Sequence, residues 1–236
     1  MKTYRINEIF YSLQGEGRHT GRAAVFVRFS GCNLRCPFCH NAGLVVGEGQ
    51  MEELPADEFL SFLRKRQGIL DGVCVSGGEP LLHAQLPALL REIRQLGFRV
   101  KLDTNGAFPD RLKAVVEEGL ADKIAMDIKN GPSRYAETTG IPGLDAAPFA
   151  ESKDFLLKGG VDYEFRTTVV RGLHTEESLL EAASWIRGAK VWYLQQFRDS
   201  GHLVNGKGLS AFSEEEMRGL LVKAREVLPT AELRGL

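Results

Sequence analysis

Residues 26–41 read Phe-Val-Arg-Phe-Ser-Gly-Cys-Asn-Leu-Arg-Cys-Pro-Phe-Cys-His-Asn, and the rest of the chain is best understood outward from them. Cys32, Cys36 and Cys39 stand there with the spacing C-x3-C-x2-C. The run Ala23–Phe29 just before them is apolar and β-branched, the composition of a buried strand. The cysteines therefore sit on a loop leaving that strand. Three thiolates on one short loop can converge on one metal centre and leave one coordination position for another group. Zinc would need a fourth protein ligand, and the candidates are His40 and Cys74. His40 adjoins Cys39, which makes a zinc site cramped. Cys74 lies inside Gly72-Val73-Cys74-Val75, where a small buried residue is the ordinary occupant. An iron–sulfur cluster with one open iron is the preferred reading, and structural zinc is the alternative.

The segments that follow alternate in type. Before the loop, Ile6 to Leu13 reads as a strand or sheet edge, with turns at Gln14-Gly15-Glu16-Gly17 and Gly21. After it, residues 43–51 are polar and glycine-rich. Helical spacing predicts helices over 55–67 (inner face Phe59, Phe62 and Leu63), 86–96, 109–118, 148–158, 176–186 and 213–228. Ser213 and Glu216 have the spacing of a capping box that would open the last helix. Between the helices, strands are expected at 72–76, 99–103, 123–128, 163–170 and 190–195. This order predicts a parallel sheet with helices outside, in a partial (β/α)6 barrel forming one domain over residues 1–236. Gly77-Gly78-Glu79, Asp103-Thr104-Asn105, Asp127 with Lys129, and Gln195-Gln196 all fall at the C-terminal ends of those strands. In parallel α/β barrels that is the face where sites are built.

Composition narrows the class. The chain has 236 residues, 43% hydrophobic and 26% charged, with a formal net charge of −1. That balance gives no support for a nucleic-acid footprint or an acidic-membrane anchor. No apolar run is long enough for a membrane span, and the N-terminus has no apolar signal core. A cytoplasmic protein is expected, and in a reducing compartment clustered cysteines point to metal or redox chemistry.

With these residues in place the chain resembles the radical S-adenosylmethionine enzymes, whose hallmark is a cysteine loop of this spacing after the first barrel strand. The resemblance implies a [4Fe–4S] cluster on Cys32, Cys36 and Cys39, with the open iron chelating S-adenosylmethionine. It further implies one-electron cleavage of that cofactor to methionine and a 5′-deoxyadenosyl radical that takes a hydrogen atom from the substrate. Beyond the cluster and cofactor, no catalytic side chain is implied. Gly77, Gly78 and Glu79, in Gly-Gly-Glu-Pro, resemble the segment that receives the cofactor's amino group. Phe38 resembles the aromatic residue beside adenine.

Two subfamilies are recognisable. Residues 5–35, with I-N-E-I-F-Y-S-L-Q-G-E-G and G-R-A-A-V-F-V-R, resemble 7-carboxy-7-deazaguanine synthases of queuosine biosynthesis. That likeness implies 6-carboxy-5,6,7,8-tetrahydropterin as substrate, with Gln14, Gly15 and Glu16 lining its pocket. Arg28 would pair with its carboxylate, a contact suited to a guanidinium. The synthases usually carry Cys-Asp-Thr at the third cysteine, the threonine helping to hold Mg²⁺; this chain has Cys39-His40-Asn41.

Residues 36–236 resemble glycyl-radical-enzyme activases, in particular the activating protein of anaerobic ribonucleoside-triphosphate reductase. The motifs are C-P-F-C-H-N-A-G-L-V, V-K-L-D-T-N-G, I-A-M-D-I-K, E-F-R-T-T-V-V, Y-L-Q-Q-F-R-D-S-G and A-E-L-R-G-L. This likeness implies Asp103, Thr104, Asn105, Asp127 and Lys129 around the cofactor's methionine end, with a monovalent cation. Arg166 would add a positive charge there or be an exposed strand arginine. His83, His174 and His202 read as surface histidines. A glycyl radical enzyme would be the protein substrate, with flavodoxin or ferredoxin as electron donor. The primary expectation is the activase, and the synthase is the alternative.

Overall fold

The computed structural model describes residues 3–4, 6–13, 23–46, 54–199 and 201–236; Gln14, Gly15 and Glu16 lie outside the described residues. Ten strands are present among them: β1 (Thr3–Tyr4), β2 (Ile6–Leu13), β3 (Ala23–Phe29), β4 (Leu54–Pro55), β5 (Gly72–Gly77), β6 (Arg99–Thr104), β7 (Lys123–Asp127), β8 (Asp162–Val169), β9 (Trp192–Gln196) and β10 (Ala231–Arg234). Strands β1 and β4 form a small antiparallel ribbon. The other eight form one sheet in the order β2-β3-β5-β6-β7-β8-β9-β10. The two ends of that order are different strands, so the sheet is open, the partial barrel expected. Only β2 is antiparallel, paired along β3 from Ile6 opposite Phe29 to Leu13 opposite Ala23.

The terminal β10 pairs in parallel with β9 and extends the array beyond the six units expected. Its four residues carry two charges, so sequence alternation alone gives it little signal.

Helices α2 (Ala56–Arg64), α3 (Leu86–Gln95), α4 (Pro109–Glu117), α6 (Ala147–Leu157), α7 (Glu176–Trp185) and α8 (Glu214–Val227) match the six helices expected. Short α1 (Ala42–Val46) and α5 (Tyr135–Thr139) were not anticipated. Helix α3 shows why the spacing works: Leu86, Leu89, Leu90 and Ile93 recur on one side and all four are buried. Ser213 accepts the Glu216 N–H while the Glu216 carboxylate accepts the Ser213 N–H, so the expected capping box opens α8. In α2 the buried residues are Ala56, Phe59, Leu60 and Leu63; Phe62 is half-buried against the core's edge and carries the Arg66 guanidinium 3.7 Å above its ring. Leu44 and Val45 of α1 are buried, which explains a helix where a polar loop was expected.

Strand alternation divides the apolar from the charged. In β8, Tyr163, Phe165 and Val169 belong to the core under the helices, while Glu164, Arg166 and Thr168 point the other way, into the barrel. There Glu164, fully buried, lies 2.8 Å from Lys123 Nζ and 3.7 Å from Lys101 Nζ. Burying charges is costly, and mutual pairing offsets that cost. Cys74 is fully buried as expected, but in register between Phe26 and Lys101 on this inner face. Among the described residues no helix is long and apolar enough to cross a membrane.

Candidate functional site

The C-terminal strand ends open onto a cavity of about 270 Å³, and Cys32, Cys36 and Cys39 all line it. Phe38, Gly77, Gly78, Asp103, Thr104, Asn105, Asp127, Lys129 and Arg166 line it too, as does Arg28. Residues spread over 139 positions of sequence, from Arg28 to Arg166, thus reach one space because their parallel strands end on one rim.

The cysteine loop is held mainly by backbone. Cys39 N–H donates to the Cys36 carbonyl at 3.0 Å, and Leu34 N–H points at Cys32 Sγ from 3.4 Å. Arg35 closes the loop from outside, donating to the Cys32 carbonyl at 2.6 Å and the Leu34 carbonyl at 2.9 Å. Gly78 donates to the Phe29 carbonyl at 2.8 Å, and a Cβ at Gly78 would stand 1.9 Å from the Gly31 carbonyl oxygen. Gly77 has φ +124° and a Cβ there would meet Phe29 N at 2.2 Å. These two glycines therefore let the β5 end press against the root of the cysteine loop.

Among the described residues, Glu79 alone of the expected cofactor residues does not line the cavity. It is fully buried and faces inward. Its Oε1 accepts the Leu81 N–H at 3.0 Å and the Thr104 hydroxyl at 2.8 Å; its Oε2 accepts the Asn105 N–H at 2.6 Å. The carboxylate staples the loop after β5 to the loop after β6. Burial raises its pKa to about 7, against the three donors, which pull it down. Asn105 then passes the connection on, donating from Nδ2 to Asn33 Oδ1 at 2.9 Å.

Across the cavity lies a charged girdle. Arg166 donates from Nη1 to Asp103 Oδ2 at 3.0 Å and from Nη2 to Asp127 Oδ1 at 3.0 Å. Lys129 Nζ donates to Asp127 Oδ2 at 2.8 Å, and its ammonium sits 5.9 Å from the Phe38 ring centroid. Burial alone would raise Asp103, but Arg166 and Lys101 outweigh it and hold the carboxyl at about 2. Burial would lower Lys129, but Asp127 and the nearby thiols raise it. Arg166 is thus buried and paired; the reading of an exposed strand arginine is corrected, because β8 turns this residue inward with Glu164.

The histidines are corrected likewise. His83 is buried with Nε2 2.8 Å from the Ser30 carbonyl, and His174 is buried with Nε2 2.8 Å from the Lys129 carbonyl. Each bridges a loop at the cavity's edge. His202 is exposed, as expected. His40 stacks on Phe197, ring centroids 5.5 Å apart.

Gln195, expected on this face as a strand-end residue, lines the cavity; Thr168 lines it too and was not chosen from sequence. The signal was available: Thr168 is two residues beyond Arg166 on one strand, and Gln195 is its register partner.

A profile described as the radical SAM superfamily matches residues 26–186, more than half of the chain. The chain belongs to the radical SAM superfamily. Among its relatives is the 7-carboxy-7-deazaguanine synthase of Methanopyrus kandleri, 38% identical over 151 residues, covering 54% of this chain and 59% of that protein. The corresponding synthase of Thermoplasma acidophilum is 30% identical, covering 68% of this chain and 73% of its own. A Methanocaldococcus jannaschii protein assigned as a glycyl-radical enzyme activating enzyme is 27% identical but covers 91% and 90%. The synthase likeness thus runs well past residue 35. The chain spans just over half the length of the first synthases it matches. Streptococcus suis SuiB bound to S-adenosylmethionine shares the fold, with TM-score 0.67 and 13% identity over 89% of this chain and 52% of that one. So does a domain of a pyruvate-formate lyase-activating enzyme from Bacteroides vulgatus, with TM-score 0.56 and 20% identity over 70% and 99%.

The donor set of this radical SAM protein fits the superfamily's cluster. Cys32, Cys36 and Cys39 line one cavity, and a cubane would take one thiolate on each of three irons. Burial pushes the Cys36 thiol up to about 12; a thiol so placed would bind iron as the thiolate, with the metal taking the place of the proton.

Proposed function

We propose that this radical SAM enzyme acts on a small carboxylate-bearing heterocycle, as a 7-carboxy-7-deazaguanine synthase converting 6-carboxytetrahydropterin. One observation carries the reading: Arg28 lines the same cavity as the three cysteines. Its guanidinium donates from Nη1 to Glu8 Oε2 at 2.9 Å and sits 4.9 Å from the Phe10 ring centroid, which fixes the head group beside β2. A preset guanidinium is suited to a carboxylate by charge and by its forked donors. The identities of the synthase relatives, each above that of the activase relative, support the same choice. The preference read from the sequence is thereby reversed.

In this reading Cys32, Cys36 and Cys39 hold the [4Fe–4S] cluster, and Gly77, Gly78, Asp103, Thr104, Asn105, Asp127, Lys129 and Arg166 frame S-adenosylmethionine, with Phe38 beside its base. When bound, cluster and cofactor supply a radical that abstracts hydrogen. The chain's own residues bind, orient and enclose. Glu79 acts through the loops it joins. Asn41 lines the cavity where the synthases place the threonine that helps hold Mg²⁺, so this protein's use of Mg²⁺ would rest on a different donor. A flavodoxin or ferredoxin would deliver the electron.

Incubation of the reconstituted protein with S-adenosylmethionine, a reductant and 6-carboxytetrahydropterin tests the proposal by mass spectrometry. The deazapurine is expected. Cofactor cleavage without it would exclude the reading.

The second reading, a glycyl-radical activase, is favoured by the 91% coverage in that relative and by Cys39-His40-Asn41. It predicts a glycyl-radical doublet in the EPR spectrum when an anaerobic ribonucleotide reductase is added.

A further inference from the structure

The activase likeness implies a monovalent cation at the cofactor's methionine end, among Asp103, Asp127 and Lys129, and the aspartates present do not fit one. Asp127 Oδ1 accepts from Arg166 Nε at 3.2 Å and Nη2 at 3.0 Å, and Asp127 Oδ2 accepts from Lys129 Nζ at 2.8 Å. Asp103 Oδ2 accepts from Arg166 Nη1 at 3.0 Å. Asp103 Oδ1 lies 3.1 Å from Lys101 Nζ, a contact too oblique for an aligned hydrogen bond but one that sets a full positive charge against the oxygen. Each of the four carboxylate oxygens therefore carries a cationic nitrogen. Lys101, Lys129 and Arg166 face these two carboxylates; Lys101 also lies 3.7 Å from Glu164, but Glu164 has Lys123 at 2.8 Å as its nearer partner, so the two aspartates are already matched by positive charge.

Geometry adds to the charge argument. Arg166 and Asp127 are register partners on adjacent parallel strands. The planar guanidinium spans from β8 over β7 to reach Asp103 on β6. Arg166 and Lys101 are nearly inaccessible to solvent, so neither is screened as a surface charge would be. A sodium or potassium ion approaching either aspartate would meet an ammonium or guanidinium at the oxygen it needs.

We propose that Arg166 is a positioning residue, the built-in cation of the Asp103–Asp127 pair, and that cofactor binding here needs no monovalent cation. This rests on S-adenosylmethionine being the cofactor and is independent of which substrate is used, so failure of the product assay leaves it standing.

The test is calorimetric titration of S-adenosylmethionine into the anaerobically reconstituted holoenzyme, in potassium, sodium or choline chloride at equal ionic strength. Wild-type affinity should agree within about twofold across the three salts, well under the tenfold that 1.4 kcal/mol represents. Arg166→Gln should bind at least about tenfold more weakly in choline chloride, because the aspartates lose their buried partner. Potassium should restore much of that loss, and Arg166→Lys should lie between. Wild-type affinity that falls tenfold or more when choline replaces potassium would overturn the proposal. An Arg166→Gln protein of wild-type affinity in choline would also overturn it. Absence of binding in every salt would overturn both this inference and the cofactor assignment. Should Arg166→Gln not fold, the wild-type salt series decides alone.

Discussion

The Glu79 carboxylate accepts the Asn105 backbone N–H at 2.6 Å, and through that bond the loop after β5 is fixed to the loop after β6. Gln at this position would present an amide nitrogen where two fixed backbone donors, Leu81 N–H and Asn105 N–H, and the Thr104 hydroxyl now point at the carboxylate. Glu79→Gln should therefore destabilise the protein by about 1–3 kcal/mol even without cluster or cofactor. Urea unfolding of the iron-free protein measures this. A residue that served only the cofactor's amino group would leave that stability unchanged.

Glu79 also gives stability a pH slope with a defined sign. Its ordinary value is near 4.5 and burial raises it to about 7. Between those values the folded chain keeps a proton that the unfolded chain has released, so stability falls as pH rises through the window. Asp103 runs the other way: held at about 2 against an ordinary 3.8, it contributes stability that is lost as pH falls between them. Unfolding free energies of wild type and Glu79→Gln from pH 4.5 to 7 should converge as pH rises. A constant difference across the window would contradict the assignment.

Much of the site was legible because its chemistry is local. Cys32, Cys36 and Cys39 lie within eight residues, and the glycine and aspartate signals fall at strand ends, where a parallel barrel gathers them. What escaped was set by side-chain direction and distant partners. Arg166 looked equally like a surface residue until strand pairing placed it over Asp127 and Asp103, positions 39 and 63 residues away. Lys101, Lys123 and Glu164 form an ionic layer inside the barrel that no local pattern announces. Glu79 sits in a recognisable motif, yet its side chain turns from the cavity into the fold. His83 and His174 gave no sign that their partners would be carbonyls of Ser30 and Lys129.

Iron content separates the four cysteines. Cys32→Ala, Cys36→Ala and Cys39→Ala should each lose most of the iron after anaerobic reconstitution, since a cluster with only two protein thiolates is poorly held. Cys74→Ala should keep the wild-type content, because Cys74 lies deeper on the inner face beside Lys101 and does not line the cavity. Colorimetric iron assay of the four variants checks this, and iron loss in Cys74→Ala would refute it.

Gly78→Ala tests the contact between β5 and the cysteine loop. Its Cβ would stand 1.9 Å from the Gly31 carbonyl oxygen, which is backbone and can yield only by moving the loop. Reduced iron uptake with near-wild-type far-ultraviolet circular dichroism is expected. Full iron uptake would show that the loop tolerates displacement.

The central claim, a small substrate in the cavity of Arg28 and the three cysteines, is tested most directly by following the abstracted hydrogen. The protein would be incubated with S-adenosylmethionine, reductant and 6-carboxytetrahydropterin deuterated on its ring carbons, and the 5′-deoxyadenosine examined by mass spectrometry. Deuterium in 5′-deoxyadenosine, sharply reduced in Arg28→Gln, is the predicted result. Unlabelled 5′-deoxyadenosine from the pterin, with deuterium arriving instead from a glycine-deuterated reductase, would contradict the account.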